Sequence, residues 1–252
     1  MNNPRITDWR QRRVWLIGAS SGIGAALAHA LDKSGARLAL SARNGEALAA
    51  LGIADAIIAP CNVNDIASLI LACSKVSAGF GGIDIVIYLA GDYAPMRSDA
   101  IDLAAAERML AVNYGGALKT ASLLAAQLPV GGGLAFVASV AGYHGLPNAV
   151  AYAPGKAALI SLAECMHLEL APRGVGVWLI NPGFVATRLT AQNNFPMPAL
   201  ISADEAAAAI IAGFADGRFE IHFPRRFSWL MKLLAALPYT LSFPLIHHRT
   251  GG

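Results

Sequence analysis

The sequence predicts an α/β fold in which a single domain is built on a doubly wound parallel sheet and ends in an apolar C-terminal tail. Short apolar runs alternate with helix-forming segments along most of the 252 residues, which is typical of a parallel sheet covered by helices on both faces. Small or polar residues follow these runs, at the edge where such sheets bind ligands. The residues at the predicted strand ends are Gly18, Arg43, Asn62, Gly91, Ser139 and Pro182.

The positions of the runs define the elements. Strands are predicted at 13–17, 37–40, 55–59, 83–89, 131–138 and 175–180. Helices are expected at 25–33, at 66–78 with Asn64 or Asp65 as the cap, at about 101–128, and from about Ala151 to Leu170. Pro154 is tolerated only in a first helical turn, which is why the last helix should begin near Ala151.

The composition fits a folded domain with a sizeable core. Hydrophobic residues make up 56% and charged residues 14%, so disorder is not expected. A net charge of +3 is too small to argue for nucleic acid. Three widely spaced cysteines contain no CxxC pair, which favours reduced thiols and no metal site. The N-terminus is polar and basic, unlike a secretory signal, so we expect a cytoplasmic protein, with membrane association as an open alternative.

A glycine-rich turn follows the first predicted strand and precedes a helix. It reads Gly18-Ala19-Ser20-Ser21-Gly22-Ile23-Gly24. This arrangement brings a phosphate to a helix N-terminus. Gly18 would allow the sharp turn, Gly22 would let the backbone approach a pyrophosphate, and Gly24 would let the helix pack closely on the strand. A lone glycine motif is a weak indicator, but strand and helix flank this one as dinucleotide binding requires.

The residues after the second predicted strand indicate which nicotinamide cofactor is preferred. An acidic residue there usually holds the ribose hydroxyls of NAD, whereas this chain has Ser41-Ala42-Arg43. A guanidinium can pair with the 2′-phosphate of NADP. The alternative is a solvated loop arginine. The missing acid together with Arg43 favours NADP(H) over NAD(H).

Tyr152 and Lys156 lie four residues apart at the start of a predicted helix, so both side chains share one helical face. An ammonium close to a phenol favours the phenolate, so we expect the pKa of Tyr152 to fall from about 10 toward neutral pH. Such a phenol can pass a proton to or from a substrate oxygen. The pair alone occurs by chance in many helices. Its weight comes from Ser139, at the end of the preceding strand, and from the glycine turn.

Asn113 is a further candidate because it interrupts a helical region. It is followed by Tyr114-Gly115-Gly116, against helix propensity. Such a local break often marks a functional site, and the alternative is that small residues allow close helix packing.

In this order and spacing the motifs resemble those of the short-chain dehydrogenase/reductase family over roughly residues 12–223. The resemblance rests on Gly18-x-x-x-Gly22-Ile23-Gly24, Ala90-Gly91, Asn113, Ser139, Tyr152-x-x-x-Lys156, and Pro182-Gly183 with Thr187. It implies a Rossmann-type fold, a nicotinamide cofactor, a homodimer or homotetramer, and a catalytic group of Asn113, Ser139, Tyr152 and Lys156.

The resemblance also implies roles. Tyr152 would be the acid in carbonyl reduction and the base in alcohol oxidation, and Lys156 would lower its pKa and hold the nicotinamide ribose. Ser139 would hydrogen-bond the substrate oxygen, and Asn113 would anchor a water that relays protons to Lys156. The cofactor would lie against Gly18, Ser20, Ser21, Gly22, Ile23, Gly24, Arg43, Asn62, Val63, Ala90, Gly91, Tyr152, Lys156, Pro182, Gly183, Val185 and Thr187.

The chain departs from the family's pattern at a few positions. Ile17 stands where Thr is frequent, Leu89 where Asn is frequent, and Asn62 where Asp is common. The residues between Tyr152 and Lys156 are Ala-Pro-Gly in place of a Ser-Ala-Ser-like sequence. The loss of an Asn at Leu89 is expected to loosen cofactor binding.

The C-terminal part divides into a lid and an extension. We expect a catalytic domain at 1–223, with an apolar substrate lid at about 184–203 that suggests a hydrophobic substrate, and an extension at 224–252. Lys232, Pro238 and Pro244 argue against a membrane span in the extension. Its aromatic and basic flanks fit an interfacial segment, and packing on the subunit or on a dimer mate, covering the pocket, is an equal alternative.

The sequence therefore indicates an NADP-dependent oxidoreductase that acts on CH–OH donors or the corresponding carbonyls. One alternative is reduction of a 3-oxoacyl chain on an acidic carrier protein. Another is a catalytically idle dinucleotide-binding regulator at a membrane, against which the intact Ser139, Tyr152 and Lys156 argue.

Overall fold

A seven-stranded parallel sheet forms the centre of the protein. The computed structural model describes residues 2–250, and it places the strands in the order β3-β2-β1-β4-β5-β6-β7. The order reverses between β1 and β4, which opens a crevice at the carboxyl edge of the sheet. The strands are β1 Arg13–Ile17, β2 Arg37–Ser41, β3 Ile57–Ile58, β4 Ile85–Tyr88, β5 Gly133–Val137, β6 Gly176–Pro182 and β7 Glu220–Phe223.

Helices cover both faces of the sheet, because the central strands are buried on both sides. Along β1, Trp15 and Ile17 join the core under α3, α5 and α6, whereas Val14 and Leu16 join the core under α1, α2 and α7. The helices are α1 Gly22–Lys33, α2 Gly45–Ala49, α3 Ile66–Phe80, α4 Leu103–Leu110, α5 Gly116–Leu124, α6 Tyr152–Leu170, α7 Ala203–Asp216, α8 Arg225–Ala236 and α9 Tyr239–Thr250. The predicted doubly wound parallel sheet in one domain is thereby confirmed.

Most predicted elements are present with shifted ends. Strand β3 keeps two of the five predicted residues, because an edge strand has a neighbour on one side only. Asp65, not Asn64, caps α3: its carboxylate accepts a hydrogen bond from the Ala67 N–H at 2.9 Å. Helix α6 begins at Tyr152 after the cap residue Ala151, so Pro154 lies in the first turn as expected.

Helix α7 and strand β7 were not predicted from the sequence, and neither were α2, α8 and α9. A reciprocal capping box begins α7, in which the Glu205 N–H donates to Ser202 Oγ at 3.1 Å and the Ser202 N–H donates to the Glu205 carboxylate at 2.8 Å. This Ser-x-x-Glu pattern before an apolar run was the available indicator of a helix start.

The helical region predicted at 101–128 is not one helix. A π-helical turn, Ala111–Gly115, joins α4 to α5 and contains Asn113. A π-helical turn inserts an extra residue and is frequent at functional sites, so the break in propensity at Asn113 corresponds to a real change of backbone geometry.

The N-terminal segment completes the sheet where β7 does not reach. The Asn3 amide nitrogen donates to the Val177 carbonyl at 2.6 Å, and the Val177 N–H donates to the Asn3 side-chain oxygen at 2.9 Å. Asn3 thus satisfies backbone groups of β6 that lie before the pairing with β7.

The C-terminal extension folds as α8 and α9, which pack on the same chain through Ser228, Met231, Ser242 and Ile246. Among residues 2–250, no helix has the length and apolar content needed to cross a membrane.

Candidate active site

The glycine turn between β1 and α1 lies against the end of β4. Gly18 has a φ of +101°, and a Cβ there would lie 2.5 Å from the Ala90 nitrogen. A Cβ at Gly24 would lie 2.2 Å from the Gly18 carbonyl oxygen. A side chain at either position would force the turn open, so the two glycines permit the close approach of β1, α1 and the Ala90-Gly91 segment.

The N-terminus of α1 is available to an anion. Ser21 occupies the cap position, but its side chain makes no hydrogen bond to the first helical turn. The first backbone N–H groups of α1, at the edge of the crevice, are therefore not capped by a side chain. Gly22 has a φ of +55°, and a Cβ there would lie 3.0 Å from Thr187 Cγ2. Ser20 borders the same turn, whereas Ile23 packs partly into the core. The glycine turn, the uncapped end of α1 and Thr187 together form an arrangement that could bind a pyrophosphate.

Arg43 lies further along the same edge. Its side chain is exposed, and within residues 2–250 it has neither an ion pair nor a hydrogen bond. Ser41, two residues earlier, is buried, since it accepts from Trp15 Nε1 at 2.8 Å and donates to the Ala59 carbonyl at 2.5 Å. The strand end is thereby fixed while the guanidinium stays free, an arrangement suited to a phosphate group.

Asn62 and Val63 follow β3 and have different environments. The Asn62 side-chain oxygen accepts from the Asn64 N–H at 3.1 Å, so it shapes its own turn. Val63 is buried, and a Cβ at Gly116 would lie 2.9 Å from its Cβ. Leu89 packs against the core, at the position where the family frequently has an Asn. That the missing Asn side chain loosens cofactor binding stays a prediction.

Lys156 is buried at the junction of α6 and β5. Its Nζ donates to the Val137 carbonyl at 3.0 Å and lies 5.6 Å from the centroid of the Tyr152 ring. A Cβ at Gly91 would lie 3.8 Å from the same ammonium. The predicted shared helical face of Tyr152 and Lys156 is present, and it points at the end of β4.

Ser139 begins a short 3₁₀ turn, Val140–Gly142, after β5. Its Oγ accepts from the Ala141 N–H at 3.1 Å and lies 3.5 Å from the Pro182 carbonyl, to which it can donate. The Ser139 hydroxyl also lies close enough to the Tyr152 phenol to act on its pKa, which it lowers. The hydroxyls of Ser139 and Tyr152 are therefore adjacent, as two groups that share one substrate oxygen must be.

The expected fall of the Tyr152 pKa is wrong for the protein alone. Burial raises the pKa of Tyr152 to about 12, although the hydrogen bond with Ser139 opposes the rise. Burial also lowers the pKa of Lys156 to about 8. The spacing correctly predicted the pair, but it could not show that the ammonium turns to the Val137 carbonyl and that the phenol is enclosed.

Asn113 lies in the π-helical turn, and its side chain makes two hydrogen bonds to the backbone of Asp92. Its amide nitrogen donates to the Asp92 carbonyl at 2.9 Å, and its side-chain oxygen accepts from the Asp92 N–H at 2.9 Å. The Asp92 carboxylate in turn accepts from Arg108 Nε at 2.7 Å. Asn113 thus fixes the loop after β4 through its side chain. The predicted proton relay stays a prediction.

The segment after β6 closes the opposite side of the crevice. Val185 is buried and pairs with Ile201, which joins the two ends of the lid. Thr190 Oγ1 donates to the Val185 carbonyl at 2.6 Å and accepts from the Thr187 N–H at 3.0 Å. Pro182 ends β6, and Gly183 packs against Phe227 of the extension.

Tyr93 is a site residue that the sequence analysis missed. Its ring stands edge-to-face on Tyr152, with centroids 4.9 Å apart, and its hydroxyl donates to the Asn193 side-chain oxygen at 2.7 Å. The position of Tyr93, two residues after the Ala90-Gly91 motif, was the available indication. An open cavity of about 450 Å³ lies beside this contact, lined by Pro95, Met96, Arg97, Asn148, Gln192 and Asn194.

The burial of Lys156 generates a prediction about stability. Lys156→Met removes an ammonium from a buried position, so we expect the variant to be more stable at pH 7, by about 2 kcal/mol or about 5 °C in Tm. Between pH 8 and the ordinary lysine pKa of 10.5, the folded wild type has lost this proton while the unfolded chain keeps it, so wild-type stability rises and the difference shrinks. Thermal unfolding at pH 7 and pH 9.5 tests this, with the exposed Lys75→Met as control. A difference that is independent of pH contradicts it.

Known proteins share both the sequence pattern and the fold. The profile of the short chain dehydrogenase family matches residues 12–197. An uncharacterized oxidoreductase of Myxococcus xanthus is 31% identical over 244 residues, which cover 94% of this chain and 96% of that protein. A second one, from Staphylococcus aureus strain USA300, is 32% identical over 188 residues, covering 71% of this chain and 80% of that protein.

A solved structure extends the likeness to nearly the whole chain. It is a short chain dehydrogenase of Burkholderia cenocepacia in complex with NADP, with a TM-score of 0.82 and 26% identity, covering 97% of this chain and 99% of that one. With the glycine turn, the Ser139–Tyr152–Lys156 cluster and the parallel sheet in place, the chain belongs to the short-chain dehydrogenase/reductase family of oxidoreductases.

Proposed function

We propose that the protein transfers a hydride between NADP(H) and a carbonyl or alcohol group of a hydrophobic substrate. The observation that carries this proposal is the convergence of Ser139, Tyr152 and Lys156 beside the glycine turn. Two neighbouring hydroxyls and a buried ammonium lie together at the carboxyl edge of the sheet, which supports a role in binding and protonating a substrate oxygen. NADPH-driven reduction is the direction we propose for the cell.

In the proposed mechanism, the substrate oxygen lies between Ser139 Oγ and the Tyr152 hydroxyl. The bound cofactor supplies the hydride. Ser139 donates a hydrogen bond to the oxygen as negative charge develops on it. Tyr152 gives its proton to that oxygen in reduction and accepts it back in oxidation. A raised phenol pKa suits the acid role, because the proton stays on Tyr152 until the substrate oxygen becomes basic.

Lys156 completes the group electrostatically. Its buried ammonium stabilises the phenolate that forms when Tyr152 gives up its proton. The Val137 carbonyl holds this ammonium in place, and Asn113 holds the neighbouring loop through Asp92. We propose that Lys156 also binds the nicotinamide ribose, and that a water anchored by Asn113 relays protons to it.

The preference for NADP(H) rests on Arg43. The guanidinium is exposed at the end of β2, and no carboxylate follows that strand to hold unphosphorylated ribose hydroxyls. The free N-terminus of α1 would take the pyrophosphate. The Burkholderia relative binds NADP according to its description, which agrees with this assignment.

A hydrophobic substrate is supported by aromatic side chains around the lid. Phe184 contacts Phe195 at 6.1 Å and Phe227 at 5.5 Å between ring centroids, and Tyr93 covers Tyr152. The cavity beside the lid carries amides, so a polar group at the far end of the substrate would also find partners.

We propose a homodimer or homotetramer and a peripheral contact with membranes. Exposed Leu103, Leu110 and Leu118 on α4 and α5 support an interface between subunits.

The extension has four cations and no acidic residue among 224–252. On α8, Arg226 and the exposed Trp229, Leu230 and Leu233 share one helical face, a combination that favours anionic lipid surfaces. The division into a domain at 1–223 and an extension is part of this proposal.

The acid role of Tyr152 predicts a specific loss. Tyr152→Phe should lower kcat for NADPH-dependent carbonyl reduction about a thousandfold, because the proton donor is gone while the ring stays. Fluorescence titration should show unchanged NADPH affinity. Full turnover in this variant would contradict the assignment and indicate a different acid, whereas a wild type that binds NADPH but reduces no carbonyl would favour an idle dinucleotide-binding protein.

The cofactor preference predicts a selective effect. Arg43→Ala should raise the Kd for NADPH roughly ten- to hundredfold, because a charge-assisted pair with the 2′-phosphate is lost. The Kd for NADH should change about twofold or less. Arg173→Ala, an exposed arginine at the opposite edge of the sheet, is the control. Equal losses for both cofactors would show that Arg43 does not contact the 2′-phosphate.

The membrane contact predicts a charge-dependent association. The full chain should sediment with phosphatidylcholine vesicles that contain phosphatidylglycerol, and less with phosphatidylcholine alone. The double substitution Leu230→Ser/Leu233→Ser should lower the sedimented fraction about fivefold because apolar area is lost. Leu71→Ser/Leu168→Ser removes two exposed leucines elsewhere and serves as control. Equal loss in both variants argues against the α8 face.

A further inference from the structure

The extension contacts the active-site side of the sheet at three places. Phe227 of α8 lies against Gly183, where a Cβ would come within 2.9 Å of its ring, and against Phe184 at the start of the lid. Lys232 of α8 forms an ion pair with Glu220 of β7. Ser242 of α9 lies 3.1 Å from His144 Nε2, whose ring also meets Tyr239 and Phe243. The extension therefore packs along one side of the candidate site.

Glu220 gathers hydrogen-bond donors from three separate segments. Tyr143 donates to Oε1 from the loop after Ser139, and the Asn181 amide nitrogen donates to the same oxygen at 2.8 Å from the end of β6. Lys232 donates to Oε2 from α8. Burial opposes the charge on Glu220, but these three donors outweigh it and lower the pKa of the carboxyl group. One carboxylate thus joins the extension to the loop and to the strand that border the site.

A rigid turn connects Tyr143 to Ser139. The Gly142 N–H donates to the Ser139 carbonyl at 3.0 Å, and the Tyr143 N–H donates to the Val140 carbonyl at 3.2 Å. A Cβ at Gly142 would lie 2.9 Å from the Lys156 carbonyl carbon, so this turn packs directly on α6. A shift of Tyr143 would therefore move Ser139 relative to Tyr152.

Asn181 provides a second connection. It is fully buried, and within the described residues its side-chain oxygen has no hydrogen-bond partner. With the amide reversed, that oxygen would face the Glu220 carboxylate, so the charge on Glu220 sets the orientation. Asn181 directly precedes Pro182, whose carbonyl lies 3.5 Å from Ser139 Oγ.

We propose that Glu220 and Lys232 are positioning residues of the active site, which hold Tyr143 and Asn181 and through them the catalytic placement of Ser139. The inference rests on the proposed function, since the placement of Ser139 matters to a rate only if Ser139 binds the reacting oxygen. It assigns to the extension a part in turnover in addition to any membrane contact.

The test separates positioning from simple attachment of the extension. Lys232→Met should lower kcat about tenfold for reduction of 4-nitrobenzaldehyde, a probe of apolar carbonyls, because small displacements of a catalytic group are costly. The Kd for NADPH should stay unchanged, because the glycine turn and Arg43 are remote from Lys232. Lys232→Arg should restore most of kcat, and Lys75→Met, an exposed helical lysine, should match the wild type.

Two further variants follow the route to Ser139. Tyr143→Phe removes only the hydroxyl that reaches Glu220 and should also lower kcat while the fold is kept. Glu220→Gln/Lys232→Met should lose less than the sum of the single losses in log kcat, since both act through one contact. If Lys232→Met lowers Tm but leaves kcat and KM at wild-type values, the pair merely attaches the extension and the proposal is overturned. A wild-type kcat in Tyr143→Phe overturns the route through Tyr143.

Hydrogen–deuterium exchange distinguishes this failure from failure of the proposed function. The amides of Gly142 and Tyr143 should exchange about tenfold faster in Lys232→Met than in Lys75→Met, because the turn opens more often. If the wild type reduces no carbonyl but this difference is present, the proposed function fails and the mechanical link stands. Equal exchange in both variants overturns the link whatever the activity.

Discussion

The buried ammonium of Lys156 is the constraint on which the candidate active site depends. A charged amine removed from water needs an acceptor, and the Val137 carbonyl at the end of β5 provides it at 3.0 Å. This contact fixes the first turns of α6 against the strand end and thereby places Tyr152 beside Ser139. Gly91 borders the ammonium: a Cβ there would lie 3.3 Å from the Asn113 side-chain oxygen and 3.8 Å from Lys156 Nζ.

The same constraint explains why the group consists of residues distant in sequence. Strand β5 supplies Ser139, α6 supplies the phenol and the amine, and the π-helical turn supplies Asn113, which holds the loop after β4. Each segment ends at the carboxyl edge of the parallel sheet, next to the point where the strand order reverses. The sheet topology determines where the active site lies, and local packing determines which side chains come into contact there.

Local patterns in the sequence were sufficient for six of the seven strands, for α6 and for the pairing of Tyr152 with Lys156, because apolar runs, glycine spacing and helical periodicity act over a few residues. They failed where distant segments decide. The Tyr152 pKa depends on the burial of its phenol, on Ser139 from the end of another strand and on Tyr93 from the loop after β4. Glu220 and Lys232 belong to no motif, and the spacing of residues does not show that Tyr143 and Asn181 meet the same carboxylate. The π-helical turn at Asn113 is intermediate: the glycines indicated a break but not its geometry.

Both described ends of the chain are bound into the fold. Asn3 pairs with the backbone of Val177 near one end, and Ser242 reaches His144 near the other. A peptide inserted beside Asn3 would disturb the hydrogen bonds that this residue makes to β6, and one inserted beside Ser242 would disturb the contact with His144 in the loop after Ser139. A reporter placed near either residue would therefore alter the backbone that borders the candidate site and, with it, the rate that the reporter is meant to follow.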